Sequence, residues 1–268
     1  MDDEFKKRIK EFRALKKLGQ NFLVNEDIAA SEAQYAIGKH ALEIGPGFGV
    51  LTRQLCMVSK AVTAVEKDKR LFELLSTSLE FKNLSLIHGD FFKLAPESFS
   101  NPDILVSNIP YNLSSKTVSW LTSNGMEALL CLQKEFVEHM LAEPGSKKYS
   151  RLSVTTQLSF KAYRMMDVPR NNFYPVPKVD SSIVYLKPVT ENVPGKQELT
   201  VIALLMEHKK KLLRNALIDS SASLSLSDSK ARALAESLSL KEKRVFTLTP
   251  NELADSASEI LEAIGISG

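Results

Sequence analysis

The segment Asn-Ile-Pro-Tyr at residues 108–111 combines three residue types that can bind a planar amine. The amide of Asn108 carries both a hydrogen-bond donor and an acceptor. Pro110 has a fixed φ and no N–H, so nearby carbonyls can point at a ligand. Tyr111 supplies an aromatic face on which a flat ring can stack. Taken alone, the segment is more typical of a simple turn, because Asn and Pro are common turn residues.

The residues before this segment predict its position in a sheet. Residues 103–107 form an apolar, β-branched run between Pro102 and Pro110, which is typical of a buried parallel strand. The Asn-Ile-Pro-Tyr segment would then lie at the carboxyl end of that strand, where open α/β sheets bind their ligands.

A glycine-rich turn lies between another predicted strand and helix. Gly45, Gly47 and Gly49 follow the apolar run 41–44 and precede a helix predicted at residues 50–55. Such a turn lets the backbone approach a ligand and aims helix N–H groups at it. The next strand, 61–65, ends at Glu66, about twenty residues past the first glycine, where nucleotide-binding sheets place the carboxylate that binds ribose hydroxyls. Because the full dinucleotide spacing is missing, an adenosine without phosphates is favoured, and S-adenosylmethionine fits that description.

Two further strand ends carry candidate groups. Asp90 follows the predicted strand 84–87 and could accept a hydrogen bond from an adenine amine, with Phe91 against the ring. Asp90 could equally cap the next helix. The proline-rich loop 168–180 could present Phe173 and Tyr174 for stacking, although core packing is expected for at least one of them.

The predicted elements indicate an α/β fold with a small helical addition. Parallel strands are expected at 41–44, 61–65, 84–87, 103–107 and 128–132, and two antiparallel strands at 154–160 and 182–186. Asn25 is a plausible N-cap for a helix through residue 37, and Thr249 begins a capping box for a last helix. After a linker at 190–196 the pattern is helical. We therefore expect a domain at residues 1–188, including a basic arm at 1–20, and a helical domain at 189–268.

Composition narrows the class of protein. The chain has 268 residues, of which 44% are apolar and 25% are charged, as in an ordinary soluble protein. No apolar run reaches the roughly eighteen residues of a membrane span, and the amino terminus has no apolar signal core. Cys56 and Cys131 are isolated, which predicts buried thiols in a reducing compartment such as the cytoplasm. The four histidines show no ligand spacing, so no metal is predicted.

Two basic segments are candidate RNA contacts. Residues 5–17 contain seven basic residues and one acid, with apolar positions at helical spacing. Four cations crowd into one or two helical turns further along the chain: Lys209, Lys210, Lys211 and Arg214. A solvated basic face is the alternative for both segments, because the net charge is only +3.

Five motifs follow one another along nearly the whole chain: Gly-Gln-Asn-Phe-Leu at 19–23, Glu-Ile-Gly-Pro-Gly-Phe-Gly at 43–49, Asn-Ile-Pro-Tyr at 108–111, Phe-x-Pro-x-Pro-Lys-Val-Asp-Ser at 173–181 and Leu-Arg-Asn-Ala-Leu at 213–217. In this order they resemble the ribosomal RNA adenine dimethyltransferases, and most closely the members that dimethylate two adjacent adenosines near the 3′ end of 16S/18S-type rRNA. The resemblance implies a Rossmann-like, seven-stranded methyltransferase sheet, a small C-terminal helical domain, and S-adenosylmethionine as cofactor.

Roles follow from this resemblance position by position. Asn108, Pro110 and Tyr111 match the catalytic segment of the family, and Phe173 matches its second base-stacking aromatic. The resemblance also implies the immature small ribosomal subunit as partner and a monomeric enzyme. Ile109 stands where bacterial members usually have Leu, which resembles archaeal members. The implied cofactor-binding set is Asn21, Leu23, Gly45, Gly47, Glu66, Asp90 and Asn108.

Three alternatives remain at this point. A large-subunit rRNA dimethyltransferase of the antibiotic-resistance type shares the adenine-binding motif. Methyltransferases of DNA or glutamine with Asn-Pro-Pro-Tyr are disfavoured because Ile109 replaces the first proline. A non-catalytic ribosome assembly factor would use the same surface only to bind RNA.

Overall fold

The computed structural model describes residues 11–15, 18–191 and 193–265. It divides into two compact units. The first contains the described residues up to Val137 together with Tyr163–Lys187, and the second contains Glu138–Ala162 and the described residues from Pro188 onward. Apart from residues 11–15, the predicted basic helix at 5–17 lies outside the described residues.

A seven-stranded mixed sheet forms the centre of the first unit, beside a separate two-stranded sheet. The described strands are β1 (Phe22–Leu23), β2 (His40–Ile44), β3 (Ala61–Glu66), β4 (Leu84–His88), β5 (Ile104–Asn108), β6 (Glu127–Gln133), β7 (Phe160–Val168), β8 (Phe173–Tyr174) and β9 (Ser181–Pro188). The order in the large sheet is β4-β3-β2-β5-β6-β9-β7; the pairs among β4, β3, β2, β5 and β6 are parallel, and β9 runs antiparallel to β6. The small sheet pairs β1 with β8. This arrangement confirms the predicted Rossmann-like class.

The central strands are buried because they consist of apolar runs rather than alternating patterns. Ile104, Leu105 and Val106 of β5 have no exposed surface, and Ala41 and Leu42 of β2 are equally buried. In parallel sheets, strands that are covered on both faces have continuous hydrophobic sequences. Because β2 to β6 run parallel, their carboxyl ends share one edge of the sheet. The predicted site residues lie at this edge.

Two helices of the first unit, after Asn25 and at Val50, begin where the sequence predicted. The side chain of Asn25 accepts hydrogen bonds from the backbone N–H groups of Asp27 and Ile28, which confirms it as an N-cap. Asp68 caps the helix that follows β3. These helices cover the sheet; they are α1 (Glu26–Ala33), α2 (Val50–Val58), α3 (Lys69–Ser78), α4 (Ser114–Asn124) and α5 (Lys134–Met140), the last of which continues into the second unit.

The second unit is helical around its own core. Tyr149, Leu205, Leu217 and Ile260 are fully buried members of that core. The predicted Thr249 capping box is confirmed, since Thr249 and Glu252 exchange hydrogen bonds. None of the helices that the structure describes in either unit has the length and apolarity needed to cross a membrane. The remaining helices are α6 (Arg151–Ser159), α7 (Lys196–Glu207), α8 (Leu213–Asp219), α9 (Asp228–Ser237) and α10 (Pro250–Ala263).

The strand predicted at 154–160 was wrong. Residues Arg151–Ser159 form α6, and the strand begins only at Phe160. Val154 and Leu158 are four residues apart, so in a helix they share one face, and both pack into the core of the second unit. The sequence pattern was compatible with either period. The buried helix face decided between them.

The division between units also differs from the predicted boundary at residue 188. Residues 138–162 belong to the second unit, although they include the first three residues of the sheet strand β7 and precede β9 in the chain. The reason is visible in Tyr149. Its ring is fully buried, and its hydroxyl donates to the carbonyl of Leu248 at 2.9 Å.

Candidate active site

The glycine turn after β2 takes a backbone shape that side chains disfavour. Gly45 and Gly47 have φ values of 69° and 61°, in the left-handed region. A Cβ atom on Gly47 would lie only 2.6 Å from the ring of Phe22. The turn therefore needs glycine at 47 both for conformation and for space, and it leaves bare backbone beside the pocket described below.

Glu66 connects this turn to the end of the next strand. Its carboxylate accepts hydrogen bonds from the backbone N–H groups of Gly47 at 3.2 Å and Asp68 at 2.7 Å. Glu66 is 5% exposed, and burial raises the pKa of its carboxyl group above the ordinary value. Gln20, which the sequence pattern did not single out, donates to the carboxylate of Asp68 at 3.0 Å.

Asp90 has the capping role that was one of its two predicted roles. It accepts from the backbone N–H of Phe92 at 3.2 Å and forms an ion pair with Lys67 at 2.9 Å. The hydrogen bond from Lys67 lowers the pKa of Asp90, so the carboxyl group is ionised at neutral pH. Phe91 is 4% exposed and stacks on Phe99, with ring centroids 4.9 Å apart.

Asn108 is the last residue of β5, and its amide faces two ways. The Nδ2 group donates to the carboxylate of Glu32 on α1 at 3.1 Å. The Oδ1 atom is buried and has no hydrogen-bond partner among the residues that the structure describes. An unsatisfied buried acceptor is costly, so it requires an explanation such as a ligand that donates to it.

Pro110 and Tyr111 follow in a short 3-10 turn. The carbonyl of Pro110 accepts from the backbone N–H of Leu113 at 2.8 Å. Tyr111 is half-buried, and its hydroxyl lies 2.8 Å from the hydroxyl oxygen of Ser181. The Tyr111 ring is thus held by the residue that closes the Phe-x-Pro-x-Pro-Lys-Val-Asp-Ser segment.

One pocket collects most of the predicted cofactor-binding residues. Leu23 lies instead in an adjoining recess, where it is 5% exposed; Asn21, Gly45, Gly47 and Asn108 line both spaces. The main pocket contains Asn21, Gly45, Gly47, Glu66, Asp90, Asn108 and Pro110. Sequence reasoning had placed the strand-end residues here, because parallel strands end at one edge of a sheet.

Phe173 does not present a free aromatic face, contrary to the expectation for a base-stacking residue. It is 3% exposed and belongs to the same core cluster as Leu23, Ile28 and Ile183. The antiparallel pairing of β1 and β8 places it opposite Leu23. Tyr174 is half-buried and packs against the cluster of Phe22, Phe48 and Leu71.

Three of the four predicted RNA-binding cations have partners within the second unit. Lys209 donates to the carbonyl of Tyr149, Lys211 pairs with Asp219, and Arg214 pairs with Glu242. Lys210 and Lys211 line a cleft that also contains Arg232 and Arg244, two cations that sequence reasoning missed. They lie 22 and 34 residues beyond Lys210 in the sequence, so only folding brings them to the cleft.

Comparisons with known proteins identify the family to which this chain belongs. The sequence matches the family model described as ribosomal RNA adenine dimethylase over residues 11–248. A Methanopyrus kandleri protein named a probable ribosomal RNA small subunit methyltransferase A is 38% identical over 265 residues, with 94% of each chain covered. A dimethyladenosine transferase from Plasmodium falciparum superposes with a TM-score of 0.78 at 28% identity, covering 91% of this chain and 98% of that one. The 23S rRNA methyltransferase ErmE superposes with a TM-score of 0.63 at 26% identity, covering 89% and 99%.

The sheet order, the glycine turn and the two strand-end carboxylates together define an S-adenosylmethionine-dependent methyltransferase. More narrowly, the chain belongs to the ribosomal RNA adenine dimethylase family. It is therefore an rRNA (adenine-N6,N6-)dimethyltransferase, and rRNA is its substrate.

The pocket fits the cofactor of this family. The charged residues among its described lining are Glu66, Lys67 and Asp90, and Lys67 is already paired with Asp90. The lining therefore offers no unpaired cation for a diphosphate, whereas an acidic pocket suits a cationic sulfonium. Glu66 and Asp90 line this pocket, and their carboxylates could accept hydrogen bonds from ribose hydroxyls and from an adenine amine, respectively.

Proposed function

We propose that this chain dimethylates N6 of two adjacent adenosines near the 3′ end of small-subunit, 16S-type rRNA, using S-adenosylmethionine. The relatives named small subunit methyltransferase A support this substrate, and the greater similarity to the dimethyladenosine transferase than to the 23S enzyme points the same way. One structural observation carries the mechanism. The Oδ1 atom of Asn108 is buried at the edge of the cofactor pocket and has no hydrogen-bond partner among the described residues.

Asn108 makes the adenine amine more nucleophilic by accepting one of its hydrogen bonds. The N6 amine of adenine is a poor nucleophile because its lone pair is delocalised into the ring. The Oδ1 atom of Asn108 accepts one N–H of that amine. A backbone carbonyl accepts the other; that of Ile109 is favoured, since the carbonyl of Pro110 already accepts from Leu113. Two such hydrogen bonds draw the nitrogen toward tetrahedral geometry and aim its lone pair into the pocket.

Positioning supplies most of the remaining rate enhancement. When bound, S-adenosylmethionine supplies an electrophilic methyl group on a sulfonium. Glu66, Asp90 and the glycine turn hold the adenosine part of the cofactor, so that the methyl group and the amine meet in line. Tyr111 stacks on the adenine after it leaves the RNA stack, and its hydrogen bond to Ser181 keeps the ring in place.

The helical unit contributes RNA contacts through its basic cleft. Lys210, Lys211, Arg232 and Arg244 line one surface together with Asp219, and this excess of cations suits a phosphate backbone. Lys211 pairs with Asp219 and Arg232 pairs with Asp228, so a bound phosphate competes with these carboxylates for the two cations. Lys209 and Arg214 belong to the predicted cation cluster but do not line this cleft; they are engaged with Tyr149 and Glu242. We therefore assign RNA binding to the helical unit, which contains Glu138–Ala162 and the described residues from Pro188 onward, and catalysis to the unit that contains the seven-stranded sheet.

The substrate is the immature small ribosomal subunit, and the enzyme acts as a monomer in the cytoplasm. Two buried free cysteines, Cys56 and Cys131, are in keeping with a reducing compartment. A role in small-subunit biogenesis follows from this choice of substrate.

One experiment tests the proposed function against its rivals. The purified chain is incubated with labelled S-adenosylmethionine and, separately, immature small subunits, large subunits or duplex DNA, and methylated positions are mapped. We expect dimethyladenosine at two adjacent positions near the 3′ end of the small-subunit rRNA. Label on large-subunit rRNA would identify the antibiotic-resistance type of enzyme instead. Tight binding to small subunits with no label would identify an assembly factor.

A further inference from the structure

Glu32 is a buried acid that the mechanism above does not use. It lies on α1, is 1% exposed, and its Oε1 atom has no hydrogen-bond partner among the described residues. Its Oε2 atom accepts from the Nδ2 group of Asn108 at 3.1 Å. No salt bridge between described residues includes Glu32. A carboxyl group this deeply buried, with one amide as its partner, is expensive to keep unless it serves the site.

The groups that face Glu32 come from three strands. Asn108 on β5 is its hydrogen-bond partner, and Glu43 on β2 and Cys131 on β6 interact with it electrostatically. Glu66 on β3 interacts with Glu43 in turn. Burial raises the pKa of Glu32 to about 8, and the hydrogen bond from Asn108 only partly offsets this shift. Both protonation states of Glu32 are therefore accessible near neutral pH.

The protonation state matters because it decides which end of the Asn108 amide can face Glu32. An ionised carboxylate only accepts hydrogen bonds, so the amide must turn its Nδ2 donor toward it and its Oδ1 acceptor toward the substrate. A neutral carboxylic acid can also donate, so it tolerates Oδ1 facing it instead. The pocket would then receive an N–H group, which cannot accept the amine proton of adenine.

We propose that Glu32 is a positioning residue, which in its ionised form holds the Asn108 amide with its oxygen toward the substrate amine. This inference rests on the proposed function, in which Asn108 accepts a hydrogen bond from the adenine amine. It assigns a new role to Glu32, which lies 76 positions before Asn108 in the sequence. Glu32 acts through Asn108 and does not touch the reacting atoms. Its protonation allows the amide to reverse, which removes the acceptor from the active orientation.

The orientation of the amide is measured directly, without an activity assay. The side-chain amide resonance of Asn108 is assigned in selectively labelled protein by its loss in Asn108→Ala, and followed from about pH 6 to about pH 9, a range that spans the raised carboxyl pKa. We expect it to titrate in the wild-type chain and to be independent of pH in Glu32→Gln. A resonance that does not titrate, or that titrates equally in Glu32→Gln, overturns the proposal.

Kinetics at saturating cofactor supply the second measurement. We expect kcat of the wild type to rise with pH over this range, and kcat of Glu32→Gln to be flat, because glutamine both donates and accepts at every pH. Glu32→Leu, which leaves Nδ2 unpaired, should lose on the order of tenfold in kcat at high pH, the cost of one unmade buried hydrogen bond, with little change in cofactor binding. Wild-type kcat in Glu32→Leu would overturn the proposal.

Glu43→Gln is the matched control. Glu43 is 2% exposed, burial raises its pKa to about 8, and its partner is the hydroxyl of Thr52 rather than Asn108. The pH-dependent rise in kcat should persist in this variant. If it disappears, the titrating group is Glu43 and the proposal is wrong. If the amide titrates as expected but the wild type methylates no rRNA, the coupling of Glu32 to Asn108 stands and the proposed function fails.

Discussion

The carboxylate of Glu66 accepts a hydrogen bond from the backbone N–H of Gly47 at 3.2 Å. This bond joins the end of β3 to the turn after β2, so two neighbouring strand ends present one continuous surface to the cofactor. The turn holds this position because Gly47 has a left-handed φ and packs its bare Cα against Phe22.

Gly47→Ala should destabilise the first unit through two separable effects. A left-handed alanine costs roughly 1–2 kcal/mol, and the contact of its Cβ with the Phe22 ring adds roughly 1–3 kcal/mol of overpacking. The free energy of unfolding, from urea denaturation, measures the sum. Gly38→Ala is the control, because Gly38 has a φ of 69° but no atom within 4 Å of the place that a Cβ would occupy. Equal losses in the two variants would mean that the Phe22 contact has no cost.

Asn108→Ala should abolish methyl transfer while the cofactor still binds. The substitution removes the acceptor of the N6 amine but leaves Glu66, Asp90 and the glycine turn in place. Methyl incorporation into small subunits and calorimetric cofactor binding are the two measurements. Asn124→Ala, which removes an exposed amide at the end of α4, serves as the control and should keep normal activity. Undiminished transfer by Asn108→Ala would contradict the mechanism.

The role of Phe173 is decided by comparing two substitutions. Because its ring is buried, Phe173→Ala should lower the free energy of unfolding by roughly 3–5 kcal/mol, whereas Phe173→Leu, which keeps most of the apolar volume, should lower it far less. If the ring serves only the core, Phe173→Leu retains normal activity at limiting RNA. If the predicted stacking role is correct, Phe173→Leu remains stable but needs more RNA.

Tyr111→Ala provides the contrasting case for stacking. This residue is half-buried beside the pocket, so losing its ring should raise the RNA requirement by about one stacking interaction, roughly 1–3 kcal/mol. Tyr111→Phe keeps the ring and removes only the hydrogen bond to Ser181. It should therefore retain most of the activity. Equal defects in the two variants would show that the hydroxyl, rather than the ring, matters.

The basic cleft should control the salt dependence of RNA binding. Replacing Lys210, Arg232 and Arg244 by alanine should flatten the slope of log affinity against log salt by about one for each phosphate that the variant no longer neutralises. Filter binding at several salt concentrations measures this slope. Lys60→Ala removes an exposed lysine of the other unit and should leave the slope unchanged. An unchanged slope in the triple variant would identify the cleft as a solvated surface.

The sequence by itself determined the class of fold and the edge at which the site forms. Continuous apolar runs before Gly45, Glu66 and Asn108 are typical of buried parallel strands, and Asp90 follows the parallel edge strand β4. Parallel strands end together at one edge of a sheet. Local signals were equally reliable, since Asn25 and Thr249 cap the helices that they were predicted to cap. These features depend on residues close in sequence, where side-chain type and spacing suffice.

Only the tertiary structure decided which face each remaining residue presents. The apolar pattern at residues 154–160 was compatible with a strand as well as with helix α6. The sequence likewise allowed Phe173 to be exposed or buried, and its pairing with Leu23 places it in the core. The contact between Glu32 and Asn108 joins a helix to a strand 76 residues away. Burial and long-range hydrogen bonds belong to the packed molecule, and no local pattern encodes which two distant polar groups will share one buried site.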